Sequence, residues 1–146
     1  MTRQETPLPS TRRSLPIALI RAREAVMGPI RDMLAGTGLT EQQWRVLRVL
    51  EEFGAQDATQ LAARSGLIAS SLTRILQTMV SEGLVTRQTS PKDRRRQVIE
   101  IAAPGRAILT ENHATAVAIA ASYRAKMGAE DYERLLDLLE HLADPD

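Results

Sequence analysis

The residues in this chain best equipped for chemistry are guanidinium groups. Arg87, Lys92, Arg94, Arg95, Arg96 and Arg106 fall within residues 87–106, with the carboxylate of Asp93 set among them. Fixed positive charge at this density answers to a polyanion. Arginine donates to phosphate oxygens, and on a projecting turn it can enter a minor groove, where the potential is negative. Just upstream, Ser70, Ser71, Thr73, Arg74 and Gln77 interleave with Leu72, Ile75, Leu76 and Met79. At helical spacing the apolar four take one face and the polar five are left off it. Short hydroxyls, an amide and one guanidinium suit base edges in a major groove and the phosphates beside them. Asp93 is expected to pair with one of the arginines and stiffen the turn that carries them.

The elements that must position these groups can be read from breakers and periodicity. Asp57-Ala58-Thr59-Gln60 is a helix start, and that helix is short, ending near Arg64. Ser65-Gly66-Leu67 forms a tight turn, and the polar-faced helix follows over about residues 69–82 until Gly83 stops it. The period then changes from helical to strand-like over residues 84–89 and 96–101, a hairpin whose turn bears the arginines. A short helix, a glycine-containing turn, a second helix and a basic hairpin together make a winged helix-turn-helix. Thr40-Glu41-Gln42-Gln43 opens another helix, with Trp44, Leu47 and Leu50 inward and Gly54 at its end. Upstream, residues 1–13 read as a flexible tail. Ser14 and Pro16 then start a helix that Gly28-Pro29 should bend or break, with Gly36 and Gly38 ending it. Downstream, an alanine-rich helix runs from Pro104-Gly105 to Met127, and a leucine-rich one occupies about residues 131–142. The expected fold class is mainly α with a small β-hairpin wing.

Charge is partitioned to match. Residues 1–59 carry 8 basic and 7 acidic groups, residues 60–106 carry 8 and 3, and residues 107–146 carry 3 and 8. The net charge of +1 therefore conceals a basic middle and an acidic end. With 43% hydrophobic and 25% charged residues in 146, the chain has material for a folded core, so disorder is not the default reading. Having no cysteine, it has no disulfide, thiolate metal site or thiol nucleophile. Two distant histidines, His113 and His141, lack the ligand spacing of a zinc site, and no phosphate loop or paired-carboxylate motif suggests an enzyme. No cofactor is expected. No apolar run reaches the roughly 18 residues of a membrane span, and no signal peptide is visible, so the cytoplasm, with the nucleoid, is the expected location. The competing class is a winged helix used for protein–protein contact, which would have no need of arginines at its hairpin tip.

The quoted motifs also carry a resemblance. Leu39-Thr40-Glu41-Gln42-Gln43-Trp44-Arg45-Val46-Leu47, Leu61-Ala62, Ser71-Leu72-Thr73-Arg74, Gly83-Leu84-Val85 and Asp93-Arg94-Arg95 resemble the MarR family of transcription regulators. Residues 17–50, with Arg21-Ala22-Arg23-Glu24-Ala25, are similar to its repressors of aromatic-acid degradation. The resemblance implies a homodimer on double-stranded DNA. Residues 39–106 would form the DNA-binding domain, and 14–38 and 107–146 the dimerisation helices. The apolar surface of those outer helices, more than a small winged domain could cover, agrees. It further implies that Ala69, Ser70, Ser71, Thr73 and Arg74 contact bases and phosphates, and that Arg95 is the wing arginine with Asp93 as its partner. Two positions depart from the family pattern: Ile68 replaces a hydroxyl or acidic cap, and Ile101-Ala102 replaces leucine-threonine.

Members of the family commonly bind a small aromatic acid between the dimer helices and the winged domain. The candidates here are Arg21, Arg23, Trp44, Arg45, Arg48 and His113. A carboxylate needs a guanidinium fork, and a ring needs an apolar wall. Arg23, one helical turn from Met27 and near the expected bend, is the favoured partner for the acid. Trp44 also fits a core position, Arg45 and Arg48 could bridge helices or bind phosphate, and His113 could be a plain surface residue.

Overall fold

Thr40 and Gln43 cap one another: the Thr40 hydroxyl accepts from the Gln43 amide at 3.1 Å, and the Gln43 side chain accepts from the Thr40 amide at 3.0 Å. In the computed structural model, which describes residues 5–145, this cap opens the helix about which the rest is packed. A continuous helix α1 (Leu15–Leu34) precedes it, and the capped helix is α2 (Glu41–Phe53). Then come β1 (Gln56–Asp57), α3 (Ala58–Ser65), α4 (Ala69–Ser81), β2 (Val85–Thr89), β3 (Gln97–Ile101), α5 (Ala103–Met127) and α6 (Ala129–Ala143). The core gathers Val46, Leu47 and Leu50 of α2 with Leu61, Leu72, Met79, Val85 and Ile99, each at most 2% exposed.

The expected winged helix-turn-helix is present: α3, a turn in which Gly66 adopts φ +64°, α4, and an antiparallel β2–β3 hairpin pairing Val85 with Ile101 through Thr89 with Gln97. The hairpin is not alone. Gln56 and Asp57 pair with Ile99 and Val98, so β3 is the central strand of three. A two-residue strand has no periodicity to betray it; its existence depends on β3, with Gln56 opposite Ile99 and Asp57 opposite Val98.

Other expectations need correction. Gly28-Pro29 does not interrupt α1, which carries Pro29 within a single 20-residue helix. Proline removes the donor to the carbonyl four residues back, that of Ala25. The adjoining Val26 carbonyl accepts a hydrogen bond from the Tyr123 hydroxyl, and α1 packs along α5 through this stretch, so tertiary contacts override the local break. Ser14 stands at the start of α1 but its hydroxyl makes no capping bond, and Pro16 in the first turn is what remains of that signal. Within the anticipated tail, Met1–Gln4 lie outside the described residues and Thr11–Arg13 form one 3-10 turn.

The outer helices are poorly covered. Of α1 only Leu34 is buried and of α6 nothing is, while Leu15, Ile20, Val117, Leu136, Leu138 and Leu142 are 44–64% exposed. The chain presents 11091 Å² of accessible surface, against about 7,400 Å² for a compact monomer of 16.1 kDa. Exposed apolar side chains of these helices contribute to this excess, as does the exposed segment before α1.

One contact fixes how α5 meets the winged domain. A Cβ placed on Gly105 would lie 2.5 Å from the Leu84 carbonyl oxygen and 3.0 Å from Leu47 Cδ2. That carbonyl is itself held at 2.9 Å by the Ala102 amide, so it has little room to yield. Helix propensity alone would make Gly105→Ala stabilising by about 1 kcal/mol. The close approach reverses the sign: the substitution should destabilise the fold by about 1–3 kcal/mol, seen as a lowered Tm in calorimetry.

Candidate DNA-binding surface and effector cavity

On α4 the buried face is Leu72, Leu76 and Met79, and Ala69, Ser70, Thr73, Arg74 and Gln77 are exposed as expected. Ser71 is half-buried, so less of it is offered than the helical wheel suggests. The Thr73 hydroxyl donates back to the Ala69 carbonyl at 3.0 Å. Neither α4 nor α5 has a side-chain cap, which agrees with the apolar Ile68 and Ala102 at their starts.

The wing is a turn closed by its own hydrogen bonds. The Ser90 amide donates to the Arg96 carbonyl at 2.8 Å, and the Arg95 amide to Asp93 Oδ1 at 3.0 Å. Asp93 therefore engages Arg95 through its backbone and not its guanidinium, and the arginine side chain it pairs with is another one. Its ion pair is instead with Arg96 Nε at 3.9 Å. Arg96 also reaches Asp57 Oδ2 at 3.5 Å, while Asp57 Oδ1 caps α3 by accepting from the Gln60 amide at 2.8 Å. The β1–β3 register produces this: Asp57 lies opposite Val98, two residues beyond Arg96. One carboxylate thus starts α3 and tethers the wing. Lys92, Arg94 and Arg95 are exposed, and their side chains have no ion-pair partner among the described residues. Arg87, on β2, is half-buried, with Nε lacking a partner.

Two adjoining cavities, about 240 and 350 Å³, lie where α1, α2 and α5 meet. Both are lined by Ile30, Trp44, Arg48 and Tyr123; the first adds Glu51, Leu109 and His113, the second Glu41 and Arg45. Trp44 is 7% exposed, so it is at once core and cavity wall. Burial raises the Tyr123 pKa, which keeps its hydroxyl a donor, and that donor is spent on Val26. Arg45 is committed: it donates to Glu41 at 3.0 Å and to the Ser65 carbonyl at 2.9 Å, bracing α2 against the end of α3. Arg48 has no ion pair or hydrogen bond among the described residues.

Of the other sequence candidates, His113 is brought to the cavity, whereas Arg23 and Arg21 are not. Because α1 stays unbroken, Arg23 remains 59% exposed, with Glu41 at 3.9 Å as its partner. Arg21 lies toward the chain's start, beside Thr11, Arg12 and Ile17. Further along α1, Glu24 and Arg31 form a bidentate pair at 2.9 Å, which lowers the pKa of the carboxyl and raises that of the guanidinium. Sequence reasoning missed Tyr123, Glu41, Glu51 and the second role of Asp57. Tyr123 was signalled only by being one of four aromatic residues.

A recognition helix behind a glycine turn, a basic wing tethered to it and long helices with exposed apolar faces define a winged-helix DNA-binding regulator of transcription. Residues 39–96 match the MarR family model. The chain is 37% identical over 127 residues to the homoprotocatechuate degradative operon repressor of Escherichia coli, covering 87% of this chain and 86% of that one. This chain therefore belongs to the MarR family, whose members bind double-stranded DNA as dimers. Among solved structures it is similar to NadR in complex with 4-hydroxyphenylacetate, with a TM-score of 0.81, 34% identity, and coverage of 97% and 100%. It is likewise similar to the repressor CouR bound to a 23-mer DNA duplex, with a TM-score of 0.80, 25% identity, and the same coverage. Among the described residues no helix is long and apolar enough to cross a membrane.

The wing geometry separates two kinds of arginine. Arg95→Ala should reduce the slope of log affinity against log salt by about two per dimer on any duplex, one phosphate contact per protomer. Arg96→Ala should reduce it less, because two carboxylates already neutralise that guanidinium. Fluorescence anisotropy with a random duplex across a salt series checks both; equal slopes would mean that Arg96 leaves its carboxylates on DNA.

Proposed function

We propose that this chain is a transcriptional repressor that holds a palindromic operator as a homodimer and releases it when a small aromatic carboxylic acid enters the cavity beside Trp44. On DNA, Ala69, Ser70, Ser71, Thr73, Arg74 and Gln77 read and position. Lys92, Arg94 and Arg95 serve the neighbouring minor groove and phosphates, with Arg87, Asp93 and Arg96 supporting the wing. The chain regulates and does not catalyse, in keeping with relatives that are regulators. It acts in the cytoplasm, at the nucleoid. A role confined to protein–protein contact would leave the exposed wing arginines without a use.

The observation that carries the effector reading is Arg48. It is a guanidinium on the rim of an apolar cavity, beside an indole wall and His113, with no carboxylate paired to it among the described residues. Such an unpaired fork suits a ligand carboxylate, and Trp44, Ile30 and Leu109 suit a ring. Cavities of this volume fall near the lower end of ligand sites, which favours a single-ring acid over a bulky conjugate. The chemistry of the similar proteins, a degradative operon repressor and a regulator solved with 4-hydroxyphenylacetate, supports the same class.

A gel-shift panel of hydroxyphenylacetates and benzoates should reveal an acid that weakens operator binding about 5- to 150-fold, the range of ordinary allosteric coupling. Arg48→Ala should abolish release while leaving affinity for DNA in place. Release lost with Arg23→Ala and kept with Arg48→Ala would move the carboxylate to α1. No response to any acid would reject the effector and leave the regulator standing. Light scattering of the free protein at micromolar concentration should give twice the 16.1 kDa chain mass.

A further inference from the structure

Ile68 is 69% exposed, more than Phe53 at 51% or Val80 at 39%, the other large exposed hydrophobics of residues 39–106. Neither of those poses the same question. Phe53 is covered on one ring face by the Arg64 guanidinium at 4.3 Å, and Val80 lies in the last turn of α4. Ile68 has no such cover. It also lies on none of the helices, α1, α5 and α6, whose apolar surface a second copy would take up.

Its position makes this exposure conspicuous. Ile68 immediately precedes α4 in extended conformation, φ −77° and ψ 152°, where a side chain ordinarily caps the helix. The two preceding helices use that place as expected: Thr40 accepts from the Gln43 amide and Asp57 from the Gln60 amide. Here no side-chain capping bond exists, so the chain forgoes it and exposes a branched hydrocarbon to water. Ala69 and Ser70, the next two residues, are short and exposed, and neither can screen it. The N-terminal end of a recognition helix is the part that meets base edges. Of the groups lining a major groove, only the 5-methyl of thymine is apolar, and apolar side chains are what contact it.

We propose that Ile68 is a specificity-determining residue, packing against the 5-methyl group of a thymine at one position in each operator half-site. This rests on α4 being the reading helix and adds to it a base that the hydroxyls and Arg74 do not specify. Apolar contact with a methyl distinguishes thymine from cytosine and from uracil by burial alone. A capping serine at this position would instead make the helix start firmer and the site blind to that methyl.

An operator selected by the wild-type protein from a pool of random duplexes supplies the probe. Each thymine of a half-site, with its symmetry mate, is replaced in turn by deoxyuridine, which removes only the methyl. One position should weaken wild-type binding about fourfold per half-site, on the order of fifteenfold when both are replaced. Ile68→Ser should bind thymine and deoxyuridine operators alike at that position and, having gained a cap, melt about 2–5 °C higher. Ile68→Val should keep part of the discrimination. A flat scan with wild type, or undiminished sensitivity at the same thymine in a folded Ile68→Ser protein, overturns the proposal. Arg74→Ala, run in parallel, separates the two layers of the inference. If it relaxes base preference while the uracil scan is flat, only the thymine contact falls. If it changes nothing either, α4 is not the reading helix.

Discussion

Six side chains of α2, namely Gln43, Trp44, Val46, Leu47, Val49 and Leu50, are buried, and they point in more than one direction around the helix. A surface helix hides one stripe; this one must be covered on several sides. It accordingly touches α1, α3, α4, α5 and β3. The DNA-reading unit, the cavities and the long outer helices therefore share a single packed neighbour. Close-packed interiors do not deform continuously, so an occupant of a cavity walled by Trp44 acts on the same helix that seats α3 and α4. Coupling between two sites through such a helix typically needs only about 1–3 kcal/mol.

Around that core the charged groups divide by whether they are already satisfied. Arg45 is fixed between Glu41 and the Ser65 carbonyl, Arg96 between Asp57 and Asp93, and Arg31 by Glu24. These hold elements in place: α2 against the end of α3, the wing against the start of α3, and one turn of α1 against another. Lys92, Arg94, Arg95 and Arg48 have no such partner among the described residues, and they stand where an anion can reach them. Exposed pairs add little stability on average, so the value of the Asp57–Arg96 tie is in restricting where the wing points. A wing held in one direction loses less entropy when it meets a groove.

The outer helices show the opposite economy. α6 buries nothing and α1 buries only Leu34, yet α1 carries a row of leucine and isoleucine and α6 a row of leucine. In an isolated protomer those rows are left as surface that water disfavours. The hydrogen bond from Tyr123 to the Val26 carbonyl joins α5 to α1 at the turn weakened by Pro29, so the two outer segments pack as one support.

Much of this protein is legible in its sequence, because helix caps, glycine stops and alternation are local. Thr40 with Gln43, Asp57 with Gln60, and Gly66 between α3 and α4 act over four residues or fewer, and each does in the fold what its spacing predicts. The basic wing was legible for the same reason, as a run of like charges interrupted by one aspartate. What the sequence could not decide was every outcome that depends on a distant neighbour. Pro29 is a helix breaker in isolation, and only packing against α5 lets α1 pass through it. β1 exists because β3 offers it an edge. Arg96 and not Arg95 takes the carboxylates because the sheet register brings Asp57 to it. Arg48 and not Arg23 reaches the cavity because an unbroken α1 keeps Arg23 outside. Local sequence determined which elements form and what charge they carry; the close approach of elements far apart in the chain decided which of those charges are spent on the fold and which are left for a ligand.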